Sequence, residues 1–217
     1  MQENTLQEKL ELACRIAKSY FDRGMGSGTT GNLSFMHDGM IYITAGGTCF
    51  GFLTPGDFAA VPLRETDPSV LTAADSEEQA ILAAALKKKP SKELPLHRLA
   101  YDRLQKDGIG GGAVIHTHAT FSVLWSCLPD LDPEDCVPDH TPYLRMKMGS
   151  CGLIPYEKPG SPALFEAFAR GVEGKYGWLL SHHGLVTCGK DLMEAFGRSE
   201  ELEESCKVAW MLRKAGL

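Results

Sequence analysis

The sequence predicts an α/β fold, a mixed or antiparallel sheet covered by helices in one domain spanning 1–217. Three observations predict it. Short apolar runs of strand length alternate with longer stretches of helical period. Several of the short runs are joined by hairpin turns, so strict βαβ spacing never develops. The 217 residues, 43% hydrophobic and 23% charged, suffice for one sizeable core. Internal repeats, low-complexity tracts and a domain linker are all lacking.

The elements follow in order. Leu6 to Phe21 predicts a helix, with Leu6, Leu10, Ala13, Ile16, Ala17 and Tyr20 on one face and a glycine-rich stretch from Gly24 ending it. Residues 31–36 predict a strand and Ile41 to Thr44 its partner, joined by the Asp38-Gly39 step. Turns are expected at 45–48 and 54–57, then a strand over Phe58 to Leu63. Residues 64 to 76 are polar and turn-like. From Ser76, placed to cap, an Ala-rich helix is expected to run to its lysines and stop at Pro90. The next helix starts near Ser91 or Leu94 and includes His97 and Tyr101. Residues 112–116 predict a strand and Ala119 to Cys127 a helix. Four prolines and five acidic residues make 128–142 a loop, of a length that is usually functional or interfacial. Ser161 caps a helix with Pro162 at its first position, running to about Arg170. Strands at 177–181 and 185–188 flank a turn at His183-Gly184, and a last helix opens at Lys190 or Asp191 and runs to about Lys214.

Charge and cysteine content exclude several classes. Lys+Arg total 22 against 28 Asp+Glu, a net charge of −6, which argues against a nucleic-acid binder while leaving room for a local basic site. The seven cysteines are scattered without a CxxC, which favours a reducing compartment over a disulfide framework. The mixed-charge beginning, MQENTLQEKLELAC, does not read as a signal peptide. No run of about 18 apolar residues is present, so no membrane span is expected. A cytoplasmic location follows as the expectation.

The chemistry-bearing features are histidines. In His116-Thr117-His118, at the end of an apolar strand, residues i and i+2 share one face, so two neutral imidazoles can take one metal ion. They can equally be polar histidines at a core edge. The second cluster, Ser181-His182-His183-Gly184, also ends a strand and can supply a third imidazole, as a catalytic zinc site requires, or be a polar turn. Glu93 stands at a helix start, where the dipole favours a carboxylate, and it becomes a metal-side acid/base if it folds back on His116 and His118. The glycine-rich runs 26–32 and 44–48 can expose backbone N–H groups to a phosphate or be tight loops. Neither matches a nucleotide-binding motif.

These residues resemble the class II aldolase/adducin family over nearly the whole chain. The likeness runs from Gly31-Asn32-Leu33-Ser34 through Pro90-Ser91-Lys92-Glu93, His97 and His116-Thr117-His118 to His182-His183-Gly184. PSKELPLHRLAYDRL, AVIHTHATFSVLWSCL, HTPYLRMKMG, LIPYEKPGSPAL and GKDLMEAFGRSEELEESCKVAWML resemble the 3-oxo-tetronate 4-phosphate decarboxylases within it. The resemblance implies a mainly antiparallel sheet with helices on both sides. It implies His116, His118 and His183 as ligands of Zn2+ or another divalent first-row metal, with His182 where Asn is usual. It implies Glu93 as the catalytic acid/base. Ser27, Gly28, Asn32, Thr44, Gly46, Gly47, Ser91 and Lys92 match regions that hold substrate and its phosphate, and Tyr143, Lys147 and His182 are pocket candidates. The implied reaction is decarboxylation of 3-oxo-tetronate 4-phosphate, a phosphorylated sugar acid, to dihydroxyacetone phosphate. Retro-aldol cleavage of a sugar phosphate such as fuculose phosphate, and a metal-free adducin-like scaffold, are the alternatives. A homotetramer with the site near a subunit boundary is implied as well. TAGGTCFG at 44–51 lacks the family's usual Thr-Pro start, and the 70–89 segment is longer than the pattern.

Overall fold

The computed structural model describes residues 5–63 and 76–217. The polar stretch expected at 64 to 76 lies outside the described residues up to 75, and so does the start of the long 70–89 segment.

Helix α1 (Leu6–Asp22) opens with a capping box, in which the Thr5 hydroxyl accepts from the Glu8 backbone N–H and the Glu8 carboxylate accepts from Thr5 N–H. Strands β1 (Asn32–His37) and β2 (Met40–Thr44) form the expected hairpin. Its turn residues Asp38 and Gly39 take φ values of 46° and 73°. Two 3-10 turns, Phe50–Phe52 and Pro55–Asp57, lead to β3 (Phe58–Pro62). Then come α2 (Ser76–Ala85), α3 (Leu94–Lys106), β4 (Ala113–Thr117), α4 (Thr120–Ser126), α5 (Tyr143–Met148), β5 (Gly152–Ile154), α6 (Pro162–Gly171), β6 (Gly177–Leu180), β7 (Gly184–Gly189) and α7 (Leu192–Ala215).

Among the described residues the strands form one seven-stranded sheet in the order β3-β2-β1-β4-β7-β6-β5. Every neighbouring pair is antiparallel except β5 with β6. Period-two alternation divides the apolar side chains between its faces. Leu33, Phe35, Tyr42, Ala113 and Ile115 pack with Leu10, Tyr20, Leu144, Leu202 and Cys206, which come from α1, α5 and α7. Ile41, Ile43, Val114, Trp178 and Val186 pack with Leu96, Tyr101, Leu164 and Phe168 of α3 and α6. The sheet is therefore flanked by helices on both sides. Trp178 and Phe168 are fully buried edge to face, at a centroid separation of 5.1 Å.

Two elements are not anticipated by the sequence reading, α5 and β5, and the 3-10 turn at Phe50–Phe52 is a third. The helix begun at Ser76 stops at Ala85, short of Pro90. Tertiary pairing overrides its helix-forming residues: Ala45 bridges to Pro90, Gly46 N–H donates to Lys89 O at 3.1 Å and Ser91 N–H to Thr44 O at 3.2 Å. The loop over 128–142 is anchored rather than free, since Trp125 Nε1–H donates to Cys136 O at 2.7 Å and Cys136 N–H to Cys151 O at 2.8 Å. Among the described residues, no helix is long and apolar enough to cross a membrane.

Candidate metal centre

The antiparallel ladder brings the C-terminal ends of β2, β4 and β6 to the same edge as the N-terminal ends of β1 and β7. Asn32 lies opposite His116, and Thr117 lies opposite Leu185. Two glycines make this close. Gly31, at φ +83°, passes so near β4 that a Cβ would stand 2.9 Å from His116 O. A Cβ on Gly184 would stand 2.2 Å from Thr117 O. Any larger residue at either place would push a neighbouring strand away from the His116–Thr117 backbone.

At this edge the imidazoles of His116, His118 and His183 converge, with ring centroids 4.8–4.9 Å apart. Their ligand atoms all lie within 4.8 Å of one another. His116 Nδ1–H donates to Leu185 O at 2.8 Å, which leaves Nε2 with a free lone pair facing His118 Nε2 at 3.1 Å. Both ring nitrogens of His183 are buried without a hydrogen-bond partner. Burial lowers the pKa of all three imidazoles. It takes His118, aided by His183, and His183, aided by His116, to about 4. Neutral imidazoles with lone pairs aimed at one point and an orphaned ring between strands are what a divalent cation requires. The residues fit the ion.

Glu93 completes the group from the N-cap of α3. It is buried, with Oε2 3.5 Å from His116 Nε2 and Oε1 3.7 Å from His183 Nε2. Burial opposes its ionisation, but the adjoining His116 and the Asn32 amide together hold its pKa below the ordinary carboxylate value. The amide acts whatever the charge on the imidazoles: Asn32 Nδ2–H donates to Glu93 Oε2 at 2.8 Å.

A cavity of about 470 Å³ opens beside these groups. Asn32, Thr44, Gly46, Gly47, Ser91, Lys92, Glu93, His118 and His183 line it. Ser27 and Gly28 are exposed and outside the lining; the later part of their loop, Thr29, Thr30 and Gly31, forms the wall instead. Tyr143 and Lys147 also lie elsewhere. Tyr143 is exposed on α5, and Lys147 pairs with Glu201 of α7 at 3.2 Å. His182 takes φ 57° and points its exposed ring at Tyr156, leaving His183 to turn inward. A left-handed backbone of this kind is one that His, like Asn and Asp, adopts more readily than most side chains. Lys89 is a lining residue the sequence reading missed, because long-range pairing of residues 44–46 with 89–91 brings it to the cavity.

A second group able to hold a cation, His37, Asp38 and Glu78, lies away from the cavity. There Lys9 Nζ is 3.2 Å from His37 Nδ1. An ammonium donating to Nδ1 leaves the ring proton on Nε2, 3.6–3.7 Å from the two carboxylates, so neither ring nitrogen offers a lone pair to a cation.

Residues 11–210 match the model of the class II aldolase and adducin N-terminal domain. The chain belongs to this family. It is 36% identical over 211 residues to a 3-oxo-tetronate 4-phosphate decarboxylase of Escherichia coli K12, covering 97% of this chain and 88% of that protein. It is 29% identical over 198 residues to an L-fuculose phosphate aldolase of Methanococcus maripaludis, covering 91% of this chain and 94% of that one. Among solved structures it resembles YgbL from Escherichia coli, with a TM-score of 0.80 and 33% identity over 96% of this chain and 91% of that one. Membership of a family of aldolases and decarboxylases fits an enzymatic role for the three-histidine cluster.

Proposed function

We propose that the protein decarboxylates 3-oxo-tetronate 4-phosphate to dihydroxyacetone phosphate and CO2. The observation that carries this reading is the meeting of three neutral imidazoles and one carboxylate beside a cavity rimmed by hydroxyls, glycine backbone and lysines. The likeness to decarboxylases over most of the chain supports the choice of reaction.

His116, His118 and His183 would hold zinc or another first-row divalent ion. Bound there, the ion supplies Lewis-acid stabilisation to negative charge on substrate oxygens. The backbone at Gly47, the hydroxyls of Thr44 and Ser91, and the ammonium of Lys92 anchor the phosphate, Gly46 N–H being engaged by Lys89 O. That remote binding holds the reacting end against Glu93. The bond between the carboxylate carbon and C2 breaks, CO2 leaves, and the electron pair delocalises into the C3 carbonyl as an enediolate. Glu93 delivers a proton to C2. One proton is consumed per turnover, and a carboxylate that is ionised in the empty cavity has to take that proton up before it can act.

Retro-aldol cleavage is the second reading, favoured by the likeness to fuculose phosphate aldolases. It uses the same groups and differs in what leaves. A cytoplasmic location and a homotetramer with the site near a subunit boundary belong to the same proposal. Exposed Phe52 and Tyr156 support the assembly, and light scattering tests it.

The decisive experiment incubates metal-loaded protein with 3-oxo-tetronate 4-phosphate and measures CO2 and dihydroxyacetone phosphate together. Equimolar products, absent with His116→Ala, are expected. No turnover by protein of verified metal content overturns the decarboxylase reading. Cleavage of L-fuculose 1-phosphate by the same sample then establishes the aldolase one.

A further inference from the structure

We propose that His97, backed by Ser34 and Tyr101, is a positioning residue that fixes the Asn32 side chain so that its amide N–H meets Glu93. The proposal rests on the reading of Glu93 as the group that handles the proton.

Five side chains form an unbroken line from the interior to the cavity wall. Tyr101 OH is 2.7 Å from Ser34 Oγ, and Ser34 Oγ is 2.7 Å from His97 Nδ1. His97 Nε2 is 2.5 Å from Asn32 Oδ1, and Asn32 Nδ2 is 2.8 Å from Glu93 Oε2. All five are buried; Ser34, His97 and Tyr101 are completely so, and only Asn32 and Glu93 reach the cavity.

Elementary bookkeeping gives this line one direction. Asn32 Nδ2–H donates to Glu93 Oε2, so the Asn32 carbonyl oxygen is the atom that faces His97. His97 must then donate from Nε2. Full burial keeps the ring neutral, so it has a single N–H and Nδ1 is an acceptor. Ser34 must donate to Nδ1, and Tyr101 must donate to Ser34. Every hydrogen bond in the line is thus specified from Glu93 backwards. A fully satisfied buried network is rigid, and turning any member around leaves a buried polar atom unpaired. Without the His97 donor, the Asn32 amide is held at its Glu93 end alone, and its carbonyl oxygen is left buried without that partner. Ser34 and His97 are otherwise enclosed between β1, β4 and α3, with no access to a ligand. Their influence on chemistry runs through Asn32.

The test has a spectroscopic and a kinetic arm. In metal-free protein with 15N-labelled imidazoles at pH 7, His97 is expected as the neutral tautomer protonated at Nε2. An Nδ1–H tautomer or an imidazolium overturns the proposal. His97→Leu keeps roughly the volume and removes the donor, whereas His97→Gln keeps an N–H near the Nε2 position. His97→Leu is expected to shift the Asn32 side-chain amide resonance and to lower kcat roughly tenfold, with KM and metal content near wild type. His97→Gln is expected to restore most of both. Equal kcat in the two variants, or an effect confined to KM, overturns the proposal. Should His97→Leu fail to fold, Tyr101→Phe replaces it, with the Asn32 resonance and kcat as readouts. If wild-type protein turns over none of the substrates, the proposed function fails, and the tautomer and the Asn32 resonance still decide the positioning role.

Discussion

Gly184 has no side chain because Thr117 O occupies the place where one would begin, 2.2 Å from an ideal Cβ. The contact is with backbone, which cannot swing aside as a flexible side chain can. Gly184→Ala is therefore expected to part β7 from the end of β4, displacing His183 relative to His116 and His118. A cost of about 2 kcal/mol or more in stability is expected, together with loss of bound metal. Urea unfolding and metal analysis of the purified variant check this, and a stable variant with full metal content would contradict it. At this scale the sequence was partly legible. The i, i+2 spacing of His116 and His118 announces a shared face, and the line behind Glu93 has a comparable signature. Glu93, His97 and Tyr101 recur every four residues along one helix side, and Asn32 and Ser34 recur every two along one strand face. The two patterns interlock only once β1 and α3 are packed together, which spacing alone does not reveal. For the same reason the sequence does not separate Thr29 and Thr30, which line the cavity, from Ser27 and Gly28, which do not.

Elements with strong local signals formed where their residues place them. Helix α6 illustrates the economy of these signals: Ser161 Oγ accepts from Leu164 N–H at 3.3 Å, and Pro162 fills the first turn, where no N–H is needed. Ser161→Ala is expected to lower stability by about 1 kcal/mol, read as a reduced denaturation midpoint with metal binding retained. An unchanged midpoint would show that the cap contributes nothing in this setting. Elements with weak local signals escaped notice. Helix α5 is only six residues, too short to display a period, and its place is set by Leu144 and Met148 entering the core beside α7. Strand β5, three residues, exists because β6 offers it an edge. Helix α2 ends early because residues 89–91 are recruited as an extended partner for the end of β2. In each case long-range packing supplied what local sequence did not encode.

Across the whole molecule, the sheet gathers Glu93, His116, His118 and His183 from α3, β4 and the start of β7, and its interior holds histidines uncharged. This has a consequence for stability against pH. His97 has its pKa lowered by burial to about 3, and His118 and His183 theirs to about 4. In the unfolded chain each titrates near 6.5. Above that value both states are neutral and these groups contribute no pH dependence. Below it the unfolded chain binds protons that the folded one refuses, so stability falls as pH drops from about 6.5 towards 4. The slope is at most about 1.4 kcal/mol per pH unit for each histidine, and His97, wholly enclosed, has the least solvent to soften it. Urea midpoints of chelated protein at pH 7, 6 and 5 are expected to decrease in that order, and a flat series would contradict the neutral assignment. The sheet is also a partition. Asn32, Ser34, Val114 and His116 look towards α3, while Leu33, Phe35, Ala113 and Ile115 look towards α1 and α7. A protein engineer can treat the two sides as separate territories: a combinatorial library of apolar exchanges confined to the α1–α7 side would sample thermal robustness while the reactive side keeps its wild-type residues.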